Sequence, residues 1–474
     1  MNFVIIFVFV ISLYLRLDAF LINNTFFTDE ILLAVNVLNR NYSGLLFPLD
    51  YFQSAPFLFL VLSKFICSKI GYVEQCFRFI PFLSSVASLF LFYKLSCIVY
   101  RNCYSRVLAL LTFGINYQLL FYTQVFKQYS TDVLFVILTL YLILKFKNSS
   151  SKIFWISFGI YSIFAMLSSF PVFIILLSVF TTLFIFNIKN FKQIFYSALC
   201  FVSGGLIYYL FSLRYMNNSA YLESYWHKGF EIFSSEIYKI NFEFWFFDYK
   251  YPILFLLLLI VGFVALYKNK KFEFTLFFMS LFFTLLFALY HIYPFERRLA
   301  LFLLPVLILV MFYPLESINL KNKWKFSLVI LMTFVFFGTG YFNFYRDFVQ
   351  HRISYLRQDV KPLLEIIENK QKNEKLYIYY GSVYTYGYYS MIKDLPRENI
   401  IMASFPVKEV ESEKYLIQDL TNLPKGTIYL FFVKGTWTYD KDMEALNRWL
   451  KTNCVIEKDV ELKSARLVKI TVSQ

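Results

Sequence analysis

The sequence predicts a polytopic α-helical membrane protein that carries a small C-terminal α/β domain outside the cytoplasm. Three observations predict this fold class: hydrophobic residues make up 59% of the 474 residues, charged residues make up only 16%, and the mean hydropathy is +0.56. Soluble globular chains carry roughly 45–50% apolar and about 25% charged residues. The composition therefore excludes a soluble enzyme, a disordered chain and a coiled coil.

A helix needs about 20 mostly apolar residues to cross a bilayer, and about eleven stretches of the chain approach that requirement. They define a predicted transmembrane domain over residues 1–344. Their approximate bounds are 3–22, 79–99, 104–122, 131–146, 153–168, 170–188, 194–213, 251–267, 272–290, 298–313 and 326–344. No internal repeat is strong enough to indicate an inverted-repeat transporter.

One further apolar run, residues 56–70, is shorter than a span and carries Lys64 and Lys69. Charge decides its role, because Lys and Arg collect in cytoplasmic loops. If 56–70 does not span, five basic connections fall on one side, opposed by the single acid Glu316. These connections are 94–106, 145–152, 189–192, 268–271 and 314–325. We therefore expect 56–70 to be an amphipathic or re-entrant juxtamembrane helix in the first outer loop.

This topology places the N-terminus in the cytoplasm and residues 345–474 outside. It also explains the net charge of +15 through cytoplasmic loops, so we expect no nucleic-acid partner. The tail is charged and loop-rich, and its patterns predict a soluble α/β or α+β domain. Helices are predicted at 359–370 and 442–451, and strands at 375–380, 427–433 and 465–472.

Two adjacent carboxylates, Asp29 and Glu30, follow the first span in the segment FFTDEILLAVN. One interpretation is helix capping, with Thr28 or Asp29 as the N-cap and acids favoured in the first turn. The functional interpretation is a general base, which must be a carboxylate held near a reacting hydroxyl. Both interpretations are compatible with each other.

Basic residues stand at the predicted outer ends of other helices. Arg78 opens the second span, and FKQYSTD places Lys127, Tyr129 and Asp132 at the start of the fourth. Arg78 is alternatively an interfacial anchor, and Lys127 and Asp132 are alternatively solvated. Ionisable residues at a membrane boundary are costly, so they mark a candidate site by default.

The segment HIYPFERRLALFLLP places His291, Tyr293, Glu296, Arg297 and Arg298 at one outer junction. Two adjacent arginines outside oppose the charge rule and need a reason. A phosphate ligand supplies one, because Arg binds phosphate in a bidentate manner. A lone histidine is more often a hydrogen-bonded structural residue than a metal ligand.

The residues together predict an outer cavity in the membrane, with carboxylates on the first loop and cations at three other helix ends. Such a cavity suits a lipid-phosphate donor that enters from the bilayer and an acceptor that enters from outside. Aromatic residues of the outer loops could stack on sugar faces, although an interfacial aromatic belt explains them equally well. They are Tyr221, Tyr225, Trp226, Trp245 and Tyr251.

Arg16 followed by FFTDE (26–30) resembles the opening pattern of the C superfamily of membrane glycosyltransferases. This group includes protein O-mannosyltransferases and lipid A aminoarabinose transferases. The resemblance continues in order over most of the chain. Its further segments are QSAPFLFLVLSKFICSKIGYVEQCFRFIPFL (53–83), FKQYSTDVLF (126–135), YPFERRLALFLLP (293–305), and DVKPLLEII (359–367) with KLYIYYGS (375–382).

The resemblance implies transfer of a sugar from a polyprenyl-phosphate carrier to an acceptor hydroxyl on the outer face, with inversion. It implies that Asp29 is the catalytic base and that Glu30 supports it or holds the acceptor. The carrier phosphate would be bound by Arg78, Lys127, Arg297 and Arg298. The substrate would also be bound by Gln53, Tyr129, Asp132, His291 and Tyr293.

The chain departs from the pattern at Gln53, where many members carry Lys or His before the prolines. Gln53 would replace that residue as a neutral donor. Some relatives use a divalent metal at the acidic pair, so a divalent cofactor is possible here. The resemblance to bacterial members implies the inner membrane, and the acceptor is a lipid, a glycan or a protein.

Two other function classes remain open at this point. A transporter or flippase of lipid-linked sugars would also need many helices and a basic cavity, although the absence of repeats and the asymmetric first loop oppose it. A non-catalytic membrane subunit would keep the fold and act as a scaffold.

Overall fold

The computed structural model describes residues 2–22, 25–186, 191–210, 227–246, 252–317, 327, 360–407, 411–436, 438–462 and 464–472. The chain divides into two compact units. One, the membrane unit, comprises residues 1–22, 40–71 and 75–352. The other, the C-terminal unit, comprises residues 23–39, 72–74 and 353–474. The predicted domain boundary at 344/345 and the aromatic residues Tyr221, Tyr225, Trp226 and Tyr251 lie outside the described residues.

Helices account for most of the described residues. In chain order they are α1 (Asn2–Leu21), α2 (Thr28–Asn39), α3 (Phe57–Ile70), α4 (Glu74–Val99), α5 (Cys103–Gly114), α6 (Tyr117–Phe121), α7 (Tyr129–Phe146), α8 (Lys152–Ser168), α9 (Val172–Phe186), α10 (Phe191–Tyr208), α11 (Ser235–Phe246), α12 (Pro252–Asn269), α13 (Lys271–Leu289), α14 (Leu304–Met311), α15 (Pro314–Ser317), α16 (Lys361–Glu368), α17 (Val383–Ile392), α18 (Ser412–Thr421) and α19 (Tyr439–Asn453). A 3₁₀ segment, Arg297–Leu303, leads directly into α14.

The membrane unit carries the apolar helices that the sequence predicts. Among the described residues, five helical segments are long and apolar enough to cross a membrane: Phe3–Leu21, Glu74–Val99, Tyr129–Phe146, Lys271–Leu289 and Arg297–Glu316. Shorter apolar helices cover Cys103–Gly114, Lys152–Ser168, Val172–Phe186, Phe191–Ile207 and Phe255–Asn269. The polytopic helical fold is therefore confirmed in outline. The count of eleven spans stays a prediction, because most of the span predicted at 326–344 lies outside the described residues.

The juxtamembrane run forms a helix, as predicted. It is α3, whose 14 residues end at Ile70 and are followed by Gly71 as the C-cap. Gly71 has a φ of 127°, a backbone conformation that side-chain-bearing residues rarely adopt. Fourteen helical residues rise about 21 Å, which is less than the ~30 Å hydrocarbon core. The helix is thus too short to span a bilayer even when it is not tilted. The side of the membrane on which it lies stays a prediction.

Three of the predicted basic connections meet at one end of the membrane unit. Lys270 Nζ donates to the carbonyl oxygen of Val99 at 2.9 Å, at the end of α4. The Glu316 carboxylate accepts from the backbone N–H of Arg101, also at 2.9 Å. These contacts agree with the expectation that the basic connections share one side, while the compartment they face stays a prediction.

The C-terminal unit contains a five-stranded mixed sheet in the order β2-β1-β3-β5-β4. The strands are β1 (Lys375–Ile378), β2 (Ile400–Met402), β3 (Gly426–Val433), β4 (Val455–Leu462) and β5 (Ala465–Val472). β1 pairs in parallel with β2 and β3, while β5 pairs antiparallel with β3 and β4. Buried residues of β1, β3, β5 and α19 form its core, which confirms a small C-terminal sheet.

The sequence patterns located three strands of this sheet and missed two. β2 has only three residues, which is too few for an alternating pattern. β4 reads VIEKDVEL and is almost entirely exposed, so its charges resemble those of a loop. Charged side chains on an edge strand are a common protection against pairing with another chain.

Candidate functional site

The start of α7 places a lysine against the first outer loop. Lys127 is 6% exposed, and its Nζ donates to Gln53 Oε1 at 2.7 Å. Gln53 follows Tyr51 and Phe52, whose φ angles are 61° and 53°. Two successive left-handed residues of this size are costly and occur mostly at functional sites. Gln53 is thus an acceptor for a buried lysine through its amide oxygen, and its role as a neutral donor to the substrate stays a prediction.

The second arginine of the pair lies beside the same helix start. The Arg298 guanidinium carbon lies 5.9 Å from the centroid of the Tyr129 ring, a cation–π distance. Tyr129 is buried and meets the Tyr122 ring edge-to-face at 4.8 Å. Tyr129 lies beside Arg298 and follows Lys127 by two residues, and we refer below to Lys127, Tyr129 and Arg298 as the cluster at the start of α7.

Tyr293 belongs to the same neighbourhood. Its hydroxyl donates to the Leu299 carbonyl oxygen at 2.9 Å. Burial raises the pKa of Tyr293 well above its ordinary range, and the nearby Asp132 and Tyr129 raise it further. The phenol therefore stays protonated and can act only as a neutral hydroxyl.

The first arginine, Arg297, is held by its backbone. Its φ is 42°, its N–H donates to the Asn241 side-chain oxygen, and its carbonyl accepts from Trp245 Nε1 at 3.3 Å. The Asn241 amide nitrogen also donates to the Phe295 carbonyl at 2.9 Å. Asn241 and Trp245 both lie on α11, so one helix fixes the turn from which the exposed Arg297 side chain extends.

Glu296 precedes the arginine pair and is buried at 9% exposure. Burial raises its pKa, although Arg297, Arg298 and Lys228 act in the opposite direction. The carboxylate thus lies within a predominantly positive environment. Such an environment favours an anion, and phosphate binding by Arg297 and Arg298 stays a prediction.

Asp132 lies in the first turn of α7 at 4% exposure. Its carboxylate faces the Ser169 hydroxyl and the Phe170 backbone N–H at the turn before α9. Together with the charge effect on Tyr293, this places three predicted substrate residues, Tyr129, Asp132 and Tyr293, in one region of the membrane unit.

The next two predicted site residues are Arg78 and His291. Arg78 is 3% exposed and follows Phe77, whose ring contacts Phe126, the residue before Lys127. His291 is exposed, has a φ of 55°, and stacks on the Phe230 ring at 4.6 Å between centroids. The roles of both residues in substrate binding stay predictions.

The acidic pair belongs to the C-terminal unit. Glu30 is 1% exposed, and its Oε2 accepts from the Phe27 backbone N–H at 3.4 Å. This is the capping-box position of α2, so Glu30 stabilises the helix start. Asp29 is only partly buried. The capping interpretation therefore applies to Glu30, and Asp29 is the more accessible carboxylate.

A buried tyrosine fixes the segment before the pair. The Tyr389 hydroxyl of α17 accepts from the Phe26 N–H at 3.3 Å and donates to Glu74 Oε1 at 2.8 Å. Lys361 Nζ lies 3.2 Å from the same Glu74 oxygen. Burial raises the pKa of Tyr389 well above its ordinary range, and Glu74 raises it further, so the hydroxyl remains a donor.

The start of α2 also lies close to the loops that follow β1 and β3. A Cβ at Gly435 would lie 2.5 Å from the Gly381 carbonyl oxygen and 3.4 Å from Thr28 Oγ1. Only glycine allows this approach. Because β1 and β3 are parallel, their carboxyl ends meet there, which is the usual ligand-binding edge of an α/β sheet.

The sequence analysis missed two uncharged residues of this region, Asn241 and Gln128. Asn241 and Gln128 carry no charge, and neither stood out in a motif, although Gln128 lies inside FKQYSTD. Trp245 was considered for sugar stacking, but it is 6% exposed and holds the Arg297 carbonyl. The Arg16 of the opening pattern is fully buried, and its Nη1 donates to the Gly114 carbonyl at 2.6 Å, which ties α1 to α5.

Among the residues that the structure describes, no group of three His, Cys, Asp or Glu side chains could hold a metal ion. Asp29 and Glu30 alone offer few ligands, and Glu30 is engaged in capping. The described residues therefore do not fit a divalent metal site at the acidic pair.

Comparison with solved structures shows the fold. ArnT from Cupriavidus metallidurans in the apo state matches with a TM-score of 0.53 and 11% identity over 97% of each chain. The same protein bound to undecaprenyl phosphate matches with a TM-score of 0.50 and 12% identity, over 98% of this chain and 97% of that one.

The archaeal oligosaccharyltransferase AglB from Archaeoglobus fulgidus is also similar. Its complex with an inhibitory peptide and a dolichol-phosphate matches with a TM-score of 0.50 and 12% identity, over 99% of this chain and 74% of that one. No protein-family model and no curated protein matches the chain. The chain therefore has the fold of ArnT and AglB, and at these identities the likeness extends to the fold alone.

Proposed function

We propose that this chain is an inverting glycosyltransferase that moves a sugar from a polyprenyl-phosphate carrier to an acceptor hydroxyl. The observation that carries the proposal is the cluster at the start of α7, where Lys127 is fixed by Gln53 and Arg298 lies over Tyr129. A buried lysine and a nearby arginine are suited to a phosphate.

The full-length likeness in fold supports this choice of ligand, because ArnT was crystallised with undecaprenyl phosphate and AglB with a dolichol-phosphate. Both ligands combine a long apolar tail with a phosphate. The tail of such a donor would remain in the bilayer beside the apolar helices of the membrane unit. Its phosphate would reach Lys127 and Arg298, with Arg78 and Arg297 as further phosphate-binding residues.

The chemistry needs one displacement. The acceptor hydroxyl transfers its proton to the Asp29 carboxylate while its oxygen forms a bond to the anomeric carbon. The bond between that carbon and the phosphate oxygen breaks, and the phosphate leaves with the electron pair. Cations that stabilise the departing charge lower the barrier, because the charge is greater in the transition state than in the bound donor. A single in-line displacement inverts the anomeric carbon.

The remaining predicted residues have supporting roles in this proposal. Glu30 caps the start of α2, and the Tyr129 ring positions Arg298 through a cation–π contact. Tyr293 and His291 would contact the substrate as hydrogen-bonding groups. We further propose the bacterial inner membrane with the C-terminal unit outside, and a lipid, glycan or protein as the acceptor.

The proposal is tested with the purified full chain in proteoliposomes that contain undecaprenyl phosphate loaded with a radiolabelled sugar. A crude envelope extract serves as the acceptor source. We expect label in a new product with an inverted anomeric configuration, as read by NMR after purification. Movement of the labelled lipid between leaflets without a new glycosidic bond would show a transporter instead.

The same assay distinguishes a non-catalytic scaffold from the glycosyltransferase and from the transporter. A scaffold would neither form the new bond nor move the lipid, while still folding with a normal melting temperature. Either of these two outcomes would end the proposal.

A further inference from the structure

Two buried acceptor oxygens lie one helical turn apart at the start of α7. Gln128 is 5% exposed and Asp132 is 4% exposed. The Asp132 N–H donates to the Gln128 carbonyl at 2.9 Å, so the backbone between them is helical. Residues four positions apart on a helix share one face. Gln128 Oε1 and Asp132 Oδ1 both lack a hydrogen-bond partner within the part of the chain that the structure describes.

Such a pair is unusual in a folded protein. More than about 90% of buried polar groups have a partner, and an unmade hydrogen bond costs about 1–3 kcal/mol. The Gln128 amide nitrogen reaches toward the Ser54 carbonyl at 3.5 Å, which directs the nitrogen to the first outer loop. The Gln128 oxygen has no donor among the described residues, and the Asp132 carboxylate, which also faces the Ser169 hydroxyl and the Phe170 N–H, leaves its Oδ1 open to a further donor.

The surroundings indicate which group that is. Lys127, immediately before Gln128, is an anion-binding residue fixed by Gln53. Tyr129, immediately after it, lies beneath Arg298. Residues 127–132 therefore bring together groups that suit an anion, at Lys127 and Tyr129, and oxygens that accept hydrogen bonds from hydroxyl groups, at Gln128 and Asp132. A glycosyl phosphate carries both complementary parts, a phosphate and adjacent hydroxyl groups.

We propose that Gln128 and Asp132 form a subsite for hydroxyl groups of the donor sugar, adjacent to the phosphate-binding cluster. This inference rests on the proposed function and deepens it, because it assigns the sugar and the phosphate to different side chains of one motif. Bare polyprenyl phosphate has no sugar hydroxyls, so its binding depends on the cations and not on this subsite.

The test compares two ligands on the same protein preparations. Wild-type chain, Asp132→Leu and Gln128→Leu are titrated in nanodiscs with undecaprenyl phosphate, and with undecaprenyl phosphate carrying glucose or mannose. Binding is read by native mass spectrometry. Thr131→Val is the matched control, since Thr131 lies in the same turn, is equally buried, and has a partner in Ser84 at 3.1 Å.

We expect both variants to bind the preferred sugar-bearing lipid about tenfold more weakly, the effect of one lost hydrogen bond of about 1.4 kcal/mol. Their affinity for undecaprenyl phosphate should stay within about twofold of wild type, and Thr131→Val should change neither. Equal losses for both ligands would overturn the subsite, as would no loss for either. A wild-type chain that bound the sugar-bearing lipids no better than the bare lipid would also overturn it.

A different result would contradict the proposed function itself. If the wild-type chain bound none of these lipids, the phosphate-binding assignment itself would be wrong. Two variants with different chemistry keep the test decisive when one of them folds poorly, which the melting temperature reveals.

Discussion

The two units of this chain place opposite charges by different means. In the membrane unit, cations are fixed by side chains: Lys127 by Gln53, and Arg298 by the Tyr129 ring. In the C-terminal unit, the acidic pair is fixed through its backbone, because Tyr389 holds Phe26 and Glu30 caps the helix start. A phosphate site tolerates rotation of a cation, whereas a base must be held near one proton. Under the proposed function, the membrane unit supplies the phosphate-binding cations and the C-terminal unit supplies the base.

The strongest test of this contrast is Asp29→Asn, which keeps the shape and removes the base. We expect transfer to fall by about 10²–10⁴-fold, the usual contribution of general base catalysis. Donor affinity should not change. The measurement is a single-turnover transfer assay together with lipid binding on the same sample.

Glu30→Gln is the matched control for this variant. Glutamine also serves at the capping position, so we expect less than about a tenfold loss of transfer. If Glu30→Gln reduced transfer more than Asp29→Asn, the roles of the two carboxylates would be reversed.

Lys127→Met is expected to have the second largest effect. It removes a buried cation, and a hydrogen bond to a charged group contributes about 1.5–3 kcal/mol, so donor affinity should fall roughly 10- to 150-fold. Lys64→Met on α3 makes the same change of charge at a half-buried lysine outside the cluster. Equal effects of the two variants in lipid titrations would show that only the general positive charge matters.

Asn241→Leu tests whether α11 positions the arginine pair. It removes the hydrogen bonds to the Phe295 carbonyl and the Arg297 N–H. We expect KM for the donor to rise about tenfold with little change in kcat. Trp245→Phe removes only the bond to the Arg297 carbonyl and should have a smaller effect. A loss of kcat at constant KM would argue against a positioning role in donor binding.

Tyr389→Phe should give the smallest effect, and this effect should be on kcat and not on KM. The Phe26 N–H loses an acceptor, but Glu74 keeps Lys361, so we expect kcat to fall about two- to fivefold at unchanged donor affinity. Tyr384→Phe, at an exposed position of the same helix, is the control. A drop in donor affinity without a drop in kcat would contradict the division of roles between the units.

Much of the fold could be predicted because apolar length is a local property. The start of α7 was predictable for the same reason, since Lys127, Tyr129 and Asp132 lie within one short motif. The Lys127–Gln53 bond joins residues 74 positions apart, and it depends on the two left-handed residues before Gln53. No local pattern shows such a contact.

The placement of the acidic pair was still harder to predict from the sequence. The Phe26–Tyr389 hydrogen bond joins residues 363 positions apart, and α17 is a tyrosine-rich helix without a clear apolar period. The sequence indicated that Asp29 and Glu30 begin a helix. It could not indicate that this helix groups with the C-terminal residues, although segment 23–39 lies within the predicted domain 1–344.

The most direct test is a cryo-EM structure of the full chain in nanodiscs with undecaprenyl phosphate. We predict that the phosphate oxygens lie within hydrogen-bonding distance of Lys127 Nζ and the Arg298 guanidinium. A phosphate bound elsewhere, with Lys127 still on Gln53 and Arg298 still on Tyr129, would contradict the assignment of the carrier to this cluster.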